Sequence, residues 1–192
     1  MTAAVDNKNT VRLRALKETD APLMLEWMHD PDVVRNMRAN FASKTLEDCK
    51  AFIRAAAAGA EQASEGRLPE DLHLAIVSEE DEYMGTVSLK HIKAKTAEFG
   101  ITVRRCAMGK GYSIAGMRQI AMTGFKELGL ESIYWCVDPA NRRAVRFYDK
   151  NGFARCCAPA EATAYTEEEK TGFIWYSIEM RDIQDPAEND HM

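Results

Sequence analysis

Residues 99–126 place a strand-like segment, a glycine loop and an amphipathic helical pattern in a row, without one acidic residue. The chain carries 30 Asp and Glu against 25 Lys and Arg, so an acid-free basic stretch of this length is unusual. Gly109-Lys110-Gly111 separates the strand from the helix. Glycines at a helix entry let backbone N–H groups approach a ligand, and a helix N-terminus favours negative charge. The stretch therefore predicts a phosphate-binding loop.

The glycine loop alone does not identify the ligand. It lacks the Walker A pattern, and residues 109–114 lack the third glycine of the dinucleotide fingerprint. A tight strand-to-helix turn explains the glycines equally well. A nucleotide-triphosphate enzyme is disfavoured, because no Ser or Thr follows a Gly-Lys pair and no carboxylate partner for a metal is evident.

Composition limits the class of protein. A length of 192 residues suits one domain, predicted over 10–183 with flexible ends at 1–9 and 184–192. The net charge of −5 argues against general nucleic-acid binding. Five cysteines without CxxC spacing and four scattered histidines indicate neither a disulfide framework nor a metal site. With no signal pattern and no apolar run of ~18 residues, we expect no membrane association and a cytoplasmic location.

Periodicity predicts an alternating α/β order. A strand at 11–16 precedes a helix that starts near Asp20 and breaks at residues 29–32. A second helix is predicted from Thr45 through 55–58, and a loop at 61–70. The later predictions are a hairpin of 73–77 and 84–89, a strand at 97–103, a helix over 114–128, a strand at 132–137, a helix at 141–150, and paired strands at 153–157 and 173–180.

The helix at 141–150 carries the second candidate group. Asn141 is a good N-cap residue. Arg142 and Arg143 in the first turn oppose the helix dipole, and a nearby polyanion would reverse that effect. Asn141 and Tyr148 lie about two turns of ~3.6 residues apart, so they share a face. Taken alone, Tyr148 is better explained as a core aromatic residue with its hydroxyl at the surface.

Glu98 is the third candidate. Strand alternation puts Phe99, Ile101 and Val103 on one face and Glu98, Gly100 and Thr102 on the other. Gly100 is expected to leave open space beside Glu98. A lone strand glutamate is commonly just solvated, so only the combination of the three elements indicates a site.

Together these motifs resemble the GNAT superfamily of acetyl-CoA-dependent N-acetyltransferases. The resemblance covers residues 11–180 and rests on the glycine loop at 103–111, NRRAVRFYDKNGF at 141–153 and the preceding strand IYWCV. It implies a mixed central sheet of about six or seven strands flanked by about four helices. Cys106 replaces the usual Arg or Gln of the loop; either Arg104 or Arg105 replaces the missing donor, or backbone N–H groups suffice.

The resemblance also implies roles for the candidate residues. Acetyl-CoA is the expected co-substrate, without a metal. Glu98 is the expected base for an amine acceptor, and Tyr148 the donor to the departing CoA sulfur. The expected CoA-binding residues are Ile101, Thr102, Val103, Met108, Gly109, Lys110, Gly111, Tyr112, Ser113, Ile114, Asn141, Arg142, Arg143 and Tyr148.

The acceptor stays open among three classes of primary amine: an amino sugar nucleotide, a polyamine or a protein N-terminus. The chain is similar to subgroups acting on each of them. Residues 27–37, the segment before Glu98 and residues 165–170 are expected to form the acceptor wall, and a homodimer is possible. The alternative function is a non-catalytic acyl-CoA-binding module on the same fold.

Overall fold

A computed structural model of the chain describes residues 11–182. The expected flexible ends at 1–9 and 184–192 lie outside the described residues. Among the described residues the strands are β1 (Arg12–Ala15), β2 (Leu72–Val77), β3 (Tyr83–Lys93), β4 (Thr96–Val103), β5 (Ser132–Val137), β6 (Ala154–Cys156) and β7 (Ile174–Glu179). The α-helices there are α1 (Ala21–Met28), α2 (Pro31–Val34), α3 (Leu46–Ser64), α4 (Tyr112–Lys126), α5 (Arg142–Lys150) and α6 (Glu167–Gly172).

The seven strands form one mixed sheet in the order β1-β2-β3-β4-β5-β7-β6. Neighbouring strands are antiparallel except β4 and β5, which are parallel. The β4–β5 pairing extends over only three residues of β4, from Thr96 to Glu98. The sheet therefore opens in its middle, beyond Glu98.

Helices cover both faces of the sheet because both faces are apolar. On one face α4 buries Met117, Ile120 and Phe125 at helical spacing. A Cβ on Gly116 would lie 2.8 Å from Ile76 Cδ1, so the glycine lets α4 approach the sheet closely. On the other face α1 and α3 pack over β2 and β3, in a second core cluster that includes Trp27.

The sequence predicted most of these elements, and the expected mixed α/β sheet is confirmed. The loop prediction for 61–64 is wrong, because α3 continues to Ser64. Glu61, Gln62 and Ala63 are good helix formers, so polarity there marks a solvated helix face. Six α-helices replace the expected four in the described residues, since α2 and α6 are single short turns.

Helix α6 was missed although its signal was readable. It lies in the polar segment predicted only to join the last two strands. Thr166 accepts a hydrogen bond from Glu169 N, and the Glu169 carboxylate accepts one from Thr166 N. This is a capping box, which the T-x-x-E spacing specifies.

No helix within residues 11–182 has the length and apolar character needed to cross a membrane.

Candidate active site

The opening between β4 and β5 exposes backbone donors at the centre of the sheet. Arg104 N donates to Met84 O at 2.8 Å, which directs the amide of Arg104 toward β3. Backbone amides alternate in direction along a strand, so the amide of Thr102 also faces β3. The amides of Ile101 and Val103 then face the opening. Two backbone N–H groups are thereby presented where a neighbouring strand would otherwise pair.

A cleft of about 840 Å³ lies in this opening. Most of the sequence-predicted site residues line it: Glu98, Ile101, Thr102, Val103, Met108, Gly109, Gly111, Ser113, Ile114, Asn141, Arg143 and Tyr148. Three predicted residues do not line it. Lys110 and Arg142 are exposed to solvent. Tyr112, the first residue of α4, has its side chain buried in the core.

The glycine loop shapes one end of the cleft. Gly109 has φ +75° and Gly111 has φ +88°, a left-handed backbone that favours glycine. Among the described residues no side chain caps α4, and its first backbone bond runs from Ala115 N to Gly111 O. The amides of residues 112–114 have no partner within the helix, as at any helix start. They present partial positive charge suited to a phosphate.

Neither arginine expected to replace the loop's missing donor serves the loop. Arg104 is 7% exposed and bonds Glu26 at 2.9 Å and Glu82 at 2.7 Å. Arg105 forms ion pairs with Asp30 and Asp32. The expectation for both side chains is therefore wrong, because acids of distant segments already engage them. Backbone groups remain as the loop's donors.

Tyr148 lies at the inner end of the cleft, on α5. Asn141 caps that helix, its Oδ1 accepting from Ala144 N at 3.2 Å. Burial raises the pKa of the Tyr148 hydroxyl above its usual range, so the group stays protonated at neutral pH. The hydroxyl has no hydrogen-bond partner within residues 11–182. It is therefore a free donor beside the cleft.

Trp135 supplies a second unpaired donor. Its ring packs against Tyr148, with ring centroids 5.1 Å apart, and the residue lines the cleft. Its buried indole Nε1 has no hydrogen-bond partner within residues 11–182. A buried unpaired donor costs about 1–3 kcal/mol, and no atom of the described residues offsets that cost here.

Glu98 is held by two donors rather than standing in open space. It is 5% exposed. Its Oε1 accepts from Lys90 Nζ at 2.7 Å and from the Tyr165 hydroxyl at 2.9 Å. The expected space beside Gly100 is narrowed by Lys90, because a Cβ there would lie 3.3 Å from Lys90 Cε, but Gly100 still lines the cleft. His91 Nε2 lies 3.8 Å from Oε2.

Two of the three predicted acceptor-wall segments, 27–37 and 165–170, contribute residues to this end of the cleft. Residues 35–38 and Tyr165 line it. The Arg38 guanidinium lies 4.6 Å from the Tyr165 ring centroid and pairs with Glu169. Burial is the main cause of the raised pKa of Tyr165. The hydroxyl therefore keeps its proton, which it donates to Glu98.

Sequence reasoning missed Lys90, Trp135 and Cys136 as cleft residues, and it missed the contact of Tyr165 with Glu98. The register of a β3–β4 hairpin would have placed Lys90 opposite Glu98. Trp135 and Cys136 were named only as part of a motif strand. Nothing local in the sequence brings Tyr165 to Glu98. Within residues 11–182 no group of three His, Cys, Asp or Glu side chains could hold a metal ion.

Residues 10–154 match the family model described as acetyltransferase (GNAT) domain. The chain belongs to the GNAT acetyltransferases. Among curated proteins no sequence matches it.

Solved structures share this GNAT fold at low identity. RimJ from Mycobacterium smegmatis, in complex with CoA-disulfide, is 14% identical with a TM-score of 0.71, covering 91% of this chain and 84% of that one. Spermidine N-acetyltransferase from Vibrio cholerae, in complex with CoA and spermine, is 16% identical with a TM-score of 0.67, covering 91% and 98%. A GNAT-family acetyltransferase from Bacillus anthracis is 19% identical with a TM-score of 0.65, covering 88% and 94%.

Proposed function

We propose that this GNAT protein transfers the acetyl group of acetyl-CoA directly to a primary amine. The observation that carries the proposal is the sheet opening between β4 and β5. Glycine-loop amides lie at one end of it, and Tyr148 and Glu98 lie within it. A thioester bound along the edge of β4 would then have the Tyr148 hydroxyl as a proton donor for its sulfur. In the same cleft, the Glu98 carboxylate would bind the acceptor amine.

Backbone groups carry most of the proposed CoA binding. The amides of Ile101 and Val103 bond the pantetheine arm, much as a partner strand would. The amides at the start of α4 hold the pyrophosphate. Arg143 lines the cleft and meets a CoA phosphate, which offsets the unfavourable position of a cation in the first turn of α5.

The acceptor must lose a proton before it attacks. An alkylamine with a pKa near ~10.4 is only about one part in a thousand neutral at pH 7. Glu98 provides negative charge that attracts the ammonium form, and it is the sequence-predicted base, acting directly or through water. When the C–S bond breaks, the Tyr148 hydroxyl donates its proton to the leaving thiolate. That leaving group has a pKa near ~8.5, so the help it needs is modest.

Three acceptor classes fit this chemistry: polyamines, protein N-termini and amino sugar nucleotides. The first has a precedent in the Vibrio cholerae spermidine N-acetyltransferase of the same fold. Lys90 is paired with Glu98 and Arg38 with Glu169, so the charges at the acceptor end are balanced. This balance does not favour one of the three classes, and a turnover screen distinguishes them.

A turnover screen tests the proposal. Release of free CoA from acetyl-CoA is measured with spermidine, a serine-initiated peptide and a nucleotide-linked 4-amino sugar, and the acetylated product is identified by mass. At least one amine is expected to be acetylated. CoA binding without acetylation of any amine would instead support the non-catalytic acyl-CoA-binding module.

Glu98→Gln tests the carboxylate in the same assay. We expect a lower rate at neutral pH and an unchanged dissociation constant for acetyl-CoA, because Glu98 lies at the acceptor end of the cleft. An unchanged rate would remove Glu98 from the mechanism.

A further inference from the structure

A second cavity, of about 300 Å³, lies against the same stretch of β4 that borders the cleft. Gly100, Ile101 and Thr102 line both spaces. The walls from α1 and α3 are mostly apolar and include Trp27 and Phe52. The cavity therefore reaches the part of β4 beside which the proposed thioester would lie.

Strand register places the polar groups of this cavity on one face of the sheet. His73 of β2 lies opposite Ser88 of β3, which lies opposite Gly100 of β4. Two residues further along the two strands, Lys90 lies opposite Glu98. Directly opposed residues share a face, so His73 and Ser88 approach Gly100 from one side while Glu98 adjoins it along β4.

His73 and Ser88 form a hydrogen-bonded pair within the cavity. His73 Nδ1 lies 2.7 Å from Ser88 Oγ, and Ser88 is 7% exposed. His73 Nε2 lies 4.0 Å from Asp71 Oδ2, beyond hydrogen-bond distance, so Asp71 acts on the ring only through its charge. The relay uses the tautomer with the proton on Nε2, in which Nδ1 accepts the hydrogen bond from the Ser88 hydroxyl.

Charged groups face His73 from several elements. Asp71 precedes β2, Lys90 projects from β3, and Lys44 and Asp48 line the cavity at the start of α3. Burial lowers the pKa of His73; Asp71 opposes that effect and Lys90 adds to it. The edge of Phe52 packs on the ring, with centroids 5.0 Å apart. The imidazole is thus neutral at pH 7, as a proton acceptor must be.

We propose that the acceptor amine binds over Gly100 and passes its proton through Ser88 to His73. This inference rests on the proposed acetyl transfer. In this relay Glu98 binds the ammonium group and does not take its proton, because Glu98 Oε1 already accepts hydrogen bonds from Lys90 and Tyr165. The relay also accounts for a buried polar pair in a cavity whose other walls are mostly apolar.

An ammonium proton moves to Ser88 Oγ while the Ser88 hydroxyl proton moves to His73 Nδ1, giving an imidazolium. The neutral nitrogen attacks the thioester carbon, a C–N bond forms, and the C–S bond breaks with its electron pair on sulfur. Tyr148 protonates the thiolate, and the nitrogen's second proton restores Tyr148. The imidazolium then loses its proton to solvent.

His73→Gln and Ser88→Ala test the relay, with the best acceptor among spermidine, the serine-initiated peptide and the amino sugar nucleotide. kcat/KM is measured from pH 5 to 9, together with CoA binding. A positioned base contributes ~10²–10⁴-fold, so His73→Gln should lose about 100-fold or more. The acid limb of the pH profile, where His73 takes up a proton, should disappear. Free imidazole should restore part of the rate of His73→Gly.

His29→Gln is the matched control. His29 is exposed, bonds Lys44 O at 2.9 Å and lines neither space, so its rate and pH profile should equal those of the unchanged protein. Ser88→Ala is a small change that keeps the fold and should lose at least tenfold.

Several results would overturn the relay. A near-normal rate and acid limb in His73→Gln would exclude it, and so would a fully active Ser88→Ala, even if the His73 variants misfold. If the unchanged protein acetylates none of the three amines, the proposed transferase function fails and the relay with it. Loss of rate only in the His73 and Ser88 variants would leave both proposals supported.

Discussion

The Tyr148 hydroxyl shows how burial sets the chemistry of a single residue. The side chain is 7% exposed and surrounded by Trp135, Phe153 and Tyr176. Burial raises its pKa, so the phenol keeps its proton across the neutral range and can donate it. We predict that Tyr148→Phe lowers kcat toward the small end of the ~10²–10⁴-fold range for a general acid, since a thiolate leaves readily. The acetyl-CoA dissociation constant should not change.

Tyr176→Phe is the control for this substitution. Tyr176 is also a buried tyrosine, but its hydroxyl donates to Asp149 Oδ1 at 2.9 Å and the residue does not line the cleft. Loss of that hydrogen bond should cost about 1 kcal/mol in the free energy of unfolding and leave kcat intact. Full activity of Tyr148→Phe would show that the thiolate leaves without a proton from this residue.

Sequence spacing predicted which residues belong to the candidate site more successfully than it predicted their hydrogen-bond partners. Asn141 and Tyr148 were predictable because both lie on one helix, where periodicity fixes their shared face. The bond of Glu98 to Tyr165 was not, since Tyr165 is 67 positions away in the chain. Such a contact depends on how α6 and β7 return to the sheet. The bond to Lys90 and the narrowing of the space beside Gly100 follow instead from the register of the β3–β4 hairpin, which the sequence pattern alone did not specify.

Among the elements, α4 depends on the left-handed backbone of the glycine loop. A Cβ on Gly109 would meet no atom within 4 Å, so Gly109→Ala is strained only through its φ of +75°. That strain is worth about 1–2 kcal/mol. We predict that the variant loses stability by about this amount and binds CoA roughly tenfold more weakly, because the loop amides turn away from the phosphates. Thermal unfolding and calorimetric titration measure the two effects.

Gly129→Ala separates strain from binding. Gly129 has φ +68° and equally open surroundings, but it follows the other end of α4. The stability loss should match that of Gly109→Ala while CoA affinity stays unchanged. Equal weakening of CoA binding in both variants would mean that the loop has no direct part in binding.

Helix α5 offers a second matched pair at this scale. Arg143 lines the cleft and its neighbour Arg142 does not, although both are exposed. Exposed charge contacts are worth about 0.2–1 kcal/mol, so Arg143→Ala should weaken CoA binding by roughly two- to fivefold and Arg142→Ala should not. Titration with CoA and dephospho-CoA identifies the phosphate. A larger effect on CoA indicates the 3′-phosphate; equal effects of the two variants would contradict the assignment.

Element positions followed from periodicity, whereas the opening of the sheet did not. The strand, glycine loop and helix at 96–126 were predictable because each has a local signal. The separation of β4 from β5 after Glu98 depends on hydrogen bonds between two segments, and neither segment encodes it alone. Local signals also gave no sign that Arg104 and Arg105 would be engaged by acids of other segments.

Across the whole molecule, one carboxylate joins the first strand of the sheet to the β2–β3 turn. Asp81 accepts from Arg14 at 2.8 Å and from Lys17 at 2.7 Å, and Arg12 lies 3.5 Å away. The Lys17 and Arg14 hydrogen bonds lower its pKa to about 2. The unfolded value is near ~3.9, so the stability it contributes is present above about pH 4 and is lost as the pH falls toward 2.

We predict that Asp81→Asn lowers the melting temperature at pH 7 and that the difference from the unchanged protein narrows between pH 4 and pH 2. Asn tolerates the φ of +65° at this position, so the backbone should be unaffected. Thermal unfolding across this pH range measures the effect. A difference that is constant with pH would show that the ion pairs of Asp81 do not stabilise the fold.

The opening between β4 and β5 also bears on how such a chain can diverge. Main-chain amides are the same whatever side chains are attached to them, so a cosubstrate recognised through Ile101, Val103 and the start of α4 constrains few residue identities. Side chains on the acceptor face can then be replaced without loss of the acetyl donor. A conserved acetyl donor with changing acceptors is the expected evolutionary outcome of such recognition.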